Sequence, residues 1–183
     1  LPGNLSLALG TATLTPLETA AGWTVFANGG YKVEPYLIER IENRDGQTIF
    51  LANPPSIPSE GTAPADSLSP DQLLADSELE PQLMAERVID ERTAYIMTDM
   101  LQDVIKRGTG RRALSLNRSD LAGKTGTTNE SKDSWFVGYN SDYVTSVWAG
   151  FDQPESLGRN EYGGTIALPI WIDYMAYALK DKP

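Results

Sequence analysis

The sequence predicts an α+β domain within the broad α/β class, with an antiparallel sheet flanked by helices. Two segments, residues 15–27 and 91–106, carry the start signals and apolar content of helices, and residues 167–180 have the same character. Residues 121–151 hold three short runs of strand-forming residues separated by turn residues. Strands joined by such short turns run antiparallel, so the sheet is expected to be antiparallel.

Composition restricts the function. The chain has 183 residues, enough for one domain with a sizeable core, and its formal net charge of −10 disfavours nucleic-acid binding, which needs clustered Lys and Arg. It contains neither His nor Cys. Their absence excludes a Ser-His-Asp triad, a thiolate nucleophile and His or Cys zinc sites within this chain. No apolar run approaches the roughly 18 residues that cross a membrane, so no membrane contact is expected for this segment.

The first predicted helix has a clear beginning and end. Thr15 is a suitable N-cap, Pro16 fits the first helical position, and Glu18 completes a capping box. The sequence Asn28-Gly29-Gly30 supplies residues that tolerate the left-handed conformation at a helix end. Because the helix is mostly apolar, we expect it to be buried.

Two contrasting segments follow. Residues 36–52, YLIERIENRDGQTIFLA, alternate in polarity around Asp45-Gly46, which predicts a hairpin with a two-residue turn. Residues 52–86 are rich in Pro, Ser, Ala and acidic residues, which predicts a surface insertion; the sequence assigns it no role.

The second predicted helix begins after the N-cap Asp90 and ends at Gly108 and Gly110. Its apolar residues recur at helical spacing and are interpreted as core: Ala94, Met97, Met100, Leu101, Val104 and Ile105. The last helix has Pro169 in its first turn. The residues expected to pack on the sheet are Ile170, Trp171, Tyr174 and Ala178.

Residues 121–129, LAGKTGTTN, contain two overlapping candidate motifs. Gly123-Lys124-Thr125 is the end of a phosphate-binding loop, but that motif requires a glycine five residues earlier, where this chain has Arg118. A helix should also begin at the lysine, and Gly126 followed by threonines disfavours one. The phosphate-loop interpretation therefore fails.

The alternative motif is Lys-Thr-Gly on a strand that borders a cleft. Gly126 would let a ligand approach the backbone, and Lys124 would place a positive charge beside a nucleophile or a substrate carboxylate. Thr125 and Thr127 alternate onto one face of the strand and offer two hydroxyls. From these residues alone, a structural strand with an ordinary surface lysine stays open as an alternative.

A wider resemblance favours the catalytic interpretation. LAGKTGTTNESKDSWFVGY resembles the region around the Lys-Thr-Gly motif of class A high-molecular-mass penicillin-binding proteins. Within that class, the chain is most similar to the bifunctional peptidoglycan synthases of Gram-negative bacteria. Residues 5–31 are similar to the segment between the second and third active-site motifs of that family, and residues 94–113 to its helix and loop before the third motif. The resemblance implies a penicillin-binding transpeptidase fold, shared with serine β-lactamases and incomplete in this chain. Residues 1–183 would then be the C-terminal part of the domain.

The resemblance implies a serine D,D-transpeptidase that cross-links peptidoglycan stem peptides through an acyl-enzyme and is acylated by β-lactam antibiotics. It assigns catalytic roles to Lys124, as a charge and proton carrier, and to Thr127, whose backbone N–H forms half of an oxyanion hole. The implied substrate-binding residues are Thr125, Gly126, Thr127 and Thr128. It implies neither a cofactor nor a metal, and it implies a location at the periplasmic face of the inner membrane, in a membrane-anchored parent protein.

The chain departs from the family at the nucleophile. No serine is followed by Lys at the third position, so S-x-x-K is absent, and Ser115-Leu116-Asn117 matches S-x-N too close to Lys124 to be the second motif. With its start at Leu1-Pro2-Gly3, the chain is expected to be part of a longer protein whose upstream segment carries both motifs, and to be inactive alone. A serine β-lactamase and a non-catalytic penicillin-binding or scaffold module remain as alternatives.

Overall fold

The structure is a computed structural model that describes residues 3, 5, 7, 10, 12–58 and 83–183. None of the helices in this part of the chain has the length and hydropathy needed to cross a membrane. Short 3-10 helices at Arg111–Leu116 and Asn129–Ser131 flank the strand that carries the Lys-Thr-Gly motif. The main described elements are α1 (Pro16–Ala27), β1 (Arg40–Glu42), β2 (Thr48–Leu51), α2 (Glu91–Arg107), β3 (Ala122–Thr127), β4 (Asp133–Tyr139), β5 (Val144–Gly150) and α3 (Ala167–Ala178).

The predicted antiparallel sheet is confirmed. Strands β3, β4 and β5 form a sheet in that order, with β3 at one edge. The register pairs Thr125 with Phe136 and Gly126 with Trp135. Since side chains alternate across a strand, the register defines two faces. The α1 face contains Lys124, Gly126, Trp135 and Val137, and the α3 face contains Thr125, Thr127, Ser134 and Phe136.

The α3 face carries the larger core. Trp171 of α3 is fully buried and meets the Phe136 ring edge-on, with centroids 5.0 Å apart. The expectation that Ile170 and Tyr174 pack on the sheet is wrong, because they are 50% and 53% exposed. The burial of Trp171 fixes the rotation of the helix, and residues at the i−3 and i+4 positions share its face. The buried stripe is therefore Leu168, Trp171 and Met175.

The α1 face is covered by α1 and α2. Leu101 of α2, Ala122 and Tyr139 form a smaller buried cluster, against which Trp23 and Phe26 of α1 pack. Both helices begin as predicted: the capping box joins Thr15 to Glu18, and Asp90 accepts a hydrogen bond from the N–H of Arg92.

The expected burial of α1 is wrong. Val25 is its one buried residue, and Leu17 is 53% exposed. The other residues of the helix are half-buried or exposed, since apolar composition by itself does not say how completely a helix is covered.

The hairpin of β1 and β2 is confirmed, with a longer turn than predicted. Asn43 and Gln47 close a loop of three residues, in which Gly46 has a φ of 77°. The Oδ1 atom of Asn43 accepts hydrogen bonds from the N–H groups of Asp45 and Gln47. These bonds stabilise the three-residue loop relative to the two-residue turn.

Residues 59–82 lie outside the described residues, so the surface insertion at 52–86 stays a prediction. Its two flanks lie together: Ser56 and Met84 form a parallel bridge, and the N–H of Ala85 donates to the carbonyl of Ser56 at 2.8 Å. The segment therefore leaves and rejoins the described fold at one place.

Gly138 is required by the core of the α3 face. A Cβ at this position would lie 2.7 Å from Trp171 Cζ2 and 2.9 Å from Phe136 Cε1. We expect Gly138→Ala to lower the free energy of unfolding by about 1–3 kcal/mol, because both rings must move. Chemical denaturation of the variant measures this change.

The matched control is Gly22→Ala in α1, where an added Cβ would meet no atom within 4 Å. Alanine in a helix interior should stabilise by about 0.5–1 kcal/mol. Equal effects of the two substitutions would contradict the packing described for Gly138.

Candidate active site

The Lys-Thr-Gly motif lies on the edge strand β3. The N–H of Thr128 donates to the carbonyl of Asp133 on β4 at 3.2 Å. Because N–H and C=O groups of successive residues point in opposite directions along a strand, the backbone groups of Thr127 point away from β4, toward the open edge. An N–H at a sheet edge is free to bind a ligand's oxygen.

An open cleft of about 1460 Å³ lies along this edge. One wall consists of β3 and the turn after it, and the other includes the N-cap Thr15 and, on α1, Thr19 and Trp23. Trp135 and Trp148 also line it, with ring centroids 6.3 Å apart. The cleft therefore combines an aromatic surface with the polar groups of the motif.

Lys124 provides a cation to the cleft. Its side chain is exposed, and Nζ donates to the carbonyl oxygen of Thr125 at 3.0 Å. In the described part of the chain it forms no ion pair. Its charge is therefore available to an anionic ligand or to a neighbouring nucleophile.

The hydroxyls of Thr125 and Thr127 lie on the α3 face of the strand, as the alternation predicts, and both residues line the cleft. Thr125 Oγ1 lies 2.7 Å from Thr109 Oγ1, and one of these hydroxyls donates to the other. Thr127 Oγ1 accepts the N–H of Gly163 at 3.1 Å and keeps its own proton for donation. Each pair therefore retains one O–H that can bind a carboxylate.

Two glycines allow close packing around the motif. A Cβ at Gly126 would lie 3.0 Å from Trp135 Cβ, on the face with Lys124. A Cβ at Gly163 would lie 2.4 Å from the carbonyl oxygen of Trp135. Gly126 therefore keeps the cleft side of the strand free of a side chain, and Gly163 lets the segment before α3 approach the backbone of the sheet.

Thr128 is bound to Asp133 through its side chain as well as its backbone. Its hydroxyl accepts the N–H of Asp133 at 2.8 Å and donates to Asp133 Oδ2 at 3.3 Å. Trp148 Nε1 donates to the other carboxylate oxygen at 2.9 Å. The hydroxyl proton of Thr128 is thus used within the protein, and the substrate-binding role of Thr128 stays a prediction.

The turn after the motif has an unusual backbone. Glu130 and Ser131 have φ values of 63° and 52°, in the left-handed region that favours glycine. Glu130 forms an ion pair with Lys132 at 2.7 Å, and the hydrogen bond from Lys132 lowers the pKa of the Glu130 carboxyl. Both side chains line the cleft mouth, and their charges offset each other.

The sequence located the motif and missed its partners. Each threonine of the motif region has a hydrogen-bond partner elsewhere in the chain: Thr125 pairs with Thr109, 16 residues away, Thr127 with Gly163, 36 residues away, and Thr128 with Asp133, 5 residues away. Asp133 could have been found from the sequence, because a short turn after Thr128 predicts that Thr128 and Asp133 lie opposite each other. Ser115 lies in the 3-10 helix outside the cleft, as expected of a chance S-x-N match.

The described site can bind and polarise a ligand. It presents a cation, hydroxyl donors and an edge N–H, an arrangement suited to a carboxylate and to the negative oxygen of an acyl-transfer intermediate. The described lining includes no serine. Within the described residues, no group of three or more His, Cys, Asp or Glu side chains could hold a metal.

Comparison with known proteins gives a consistent assignment. The model of the penicillin-binding protein transpeptidase domain matches residues 2–176. Penicillin-binding protein 1A of Pseudomonas aeruginosa is 64% identical over 205 residues, covering 100% of this chain and 25% of that protein. Penicillin-binding protein 1A of Neisseria gonorrhoeae is 48% identical over 182 residues, covering 100% of this chain and 20% of that protein.

A solved structure supports the fold. The crystal structure of penicillin-binding protein 1A from Haemophilus influenzae matches with a TM-score of 0.81 and 38% identity, over 97% of this chain and 28% of that one. The chain thus spans about a quarter of the length of the relatives that it matches.

Proposed function

The chain belongs to the penicillin-binding protein transpeptidase family, and we propose that it supplies the Lys-Thr-Gly wall of a D,D-transpeptidase site within a longer protein. The nucleophile is contributed by another part of that protein, since no S-x-x-K occurs in these 183 residues. The substrates are peptidoglycan stem peptides, and β-lactams acylate the same serine.

The proposed reaction has two acyl transfers. The serine Oγ attacks the carbonyl carbon of the D-Ala-D-Ala amide, and the C–N bond then breaks to release D-alanine. An amine of a second stem peptide attacks the acyl-enzyme and regenerates the serine. Both steps pass through an intermediate with a negatively charged oxygen, so both gain from a fixed N–H donor at that oxygen.

The backbone N–H of Thr127 is the proposed donor, together with the N–H of the serine itself. The observation that supports this role most directly is the hydrogen bond from the N–H of Thr128 to the carbonyl of Asp133, because the N–H of the preceding residue, Thr127, then points toward the open edge. A donor fixed by a strand needs no rearrangement during the reaction, which is the condition for effective stabilisation of the transition state.

Lys124 and the threonines serve the substrate. The ammonium group of Lys124 lowers the energy of negative charge near the serine and assists proton movement there. Thr125 and Thr127 bind the terminal carboxylate of the stem peptide, or the matching carboxylate of a β-lactam, through their remaining O–H donors. Gly126 leaves room for the substrate beside the strand, and Thr128 completes the substrate-binding segment.

The proposal also covers location. We place the parent protein at the periplasmic face of the inner membrane, anchored by a part outside this chain, because its substrate is the cell wall. The partners of this segment are the upstream segment with S-x-x-K and S-x-N, the stem peptides and β-lactams.

Labelling with a fluorescent penicillin tests whether the nucleophilic serine lies outside this chain. We expect the full-length protein to be labelled on a serine outside residues 1–183, and the isolated chain to stay unlabelled because it lacks S-x-x-K. Peptide mass spectrometry identifies the labelled serine. A covalent label on any serine of this chain would contradict the proposal, and rapid release of the label would favour a β-lactamase.

Lys124→Ala tests the cation in the full-length protein. The acylation rate constant should fall about 10²-fold or more, the loss typical of a preorganised electrostatic group in an active site. Stopped-flow measurement with a chromogenic β-lactam gives this constant.

The matched control is Lys106→Ala on α2, whose ammonium group contacts Gln102 at the exposed surface. It should leave acylation unchanged. Near-normal acylation by Lys124→Ala would remove this lysine from the mechanism.

A further inference from the structure

The carboxylate of Asp133 connects all three strands at the cleft end of the sheet. Asp133 begins β4, and its partner across the sheet on β5 is Gly150. Its two oxygens accept from Thr128, just after β3, and from Trp148 on β5. A Cβ at Gly150 would lie 3.1 Å from Asp133 Oδ1 and 2.6 Å from Trp148 Cζ2, so this glycine leaves room for the contact.

Three hydrogen bonds join Thr128 and Asp133. Three backbone groups and both side chains take part: the Asp133 N–H donates to the Thr128 hydroxyl at 2.8 Å, and the Thr128 N–H donates to the Asp133 carbonyl at 3.2 Å. Together they fix both the register and the rotation of the strand end. The adjacent Thr127 N–H is therefore held in one direction.

This position needs a restraint of its own. The ladder between β3 and β4 ends here, and the next residues enter a turn in which Glu130 and Ser131 have left-handed backbones. Such conformations are unfavourable for residues other than glycine and persist only where the surroundings hold them. Without the carboxylate, the Thr128 hydroxyl and the Trp148 indole N–H would both lose their acceptor at this strand end.

We propose that Asp133 is a positioning residue for acyl transfer, because its contacts with Thr128 and Trp148 hold the Thr127 N–H at the open edge of β3. The inference rests on the proposed function, since it concerns the donor to the acyl oxygen. Asp133 itself touches no reacting atom. Its effect is on the geometry of the donor, where a displacement of about 1 Å can cost up to about 100-fold in rate.

Variants of the full-length protein separate this role from simple stability. Asp133→Ala and Thr128→Val both remove the side-chain contact, whereas Thr128→Ser keeps the hydroxyl. The first two should lower the acylation rate constant for a β-lactam by about 10- to 100-fold, and Asp133→Ala should leave the dissociation constant of the initial complex nearly unchanged. Thr128→Ser should slow acylation less than Thr128→Val does, because it keeps the hydroxyl. Asp103→Ala on α2, which loses a surface ion pair with Arg107, is the control that should leave acylation unchanged.

The double variant tests the coupling. If both residues act partly through their shared contact, Asp133→Ala combined with Thr128→Val should slow acylation by less than the product of the two single losses. Multiplied losses, or unchanged acylation in Asp133→Ala, would overturn the inference.

Hydrogen–deuterium exchange keeps the two proposals distinguishable. Peptides covering β3 should exchange faster in Asp133→Ala and Thr128→Val than in Thr128→Ser. Unchanged exchange would overturn the positioning role even if acylation slows. If the unmutated protein is not acylated at all, the proposed function fails, and with it the role in acyl transfer, while the exchange result still decides whether Asp133 holds the strand end.

Discussion

The antiparallel register between β3 and β4 is the constraint on which the rest of the site depends. Pairing Gly126 with Trp135 sends Lys124 to one face of the sheet and the threonine hydroxyls to the other, while the Thr127 N–H points along the sheet plane to the edge. A shift by one residue would exchange the faces and turn this N–H toward β4. The three kinds of group come together at one cleft only in the observed register.

The register is itself held from both sides of the sheet. On the α3 face, Trp171 packs against Phe136 across Gly138, and the segment before α3 binds Thr127 through Gly163. On the α1 face, the smaller cluster around Leu101 and Tyr139 holds α2 against the first half of β3. The second half of the strand stays open as the wall of the cleft. The start of this six-residue strand therefore packs in the core, and the rest is accessible from the cleft.

The elements that depend on short-range signals could be predicted from the sequence. The capping box of Thr15 and Glu18, the N-cap Asp90 and the three strands of the sheet were predictable, because each depends on neighbouring residues. The buried stripe of α3 was not, since the contact of Trp171 with Phe136 sets the helix rotation and the two residues are far apart in sequence. The same limit applies to the site: the motif Lys124–Thr127 can be read directly, but its partners Thr109 and Gly163 are brought in by the fold.

In the proposed mechanism, β3 supplies the N–H donor for an acyl intermediate formed on a serine elsewhere in the parent protein. A crystal structure of the full-length protein acylated by a penicillin tests it most directly, through the distance from the acyl carbonyl oxygen to the backbone nitrogen of Thr127. We expect a hydrogen bond of about 2.7–3.1 Å between these two atoms, with Lys124 in the same cleft. An acyl oxygen directed away from β3, or a Thr127 N–H turned toward β4, would contradict it.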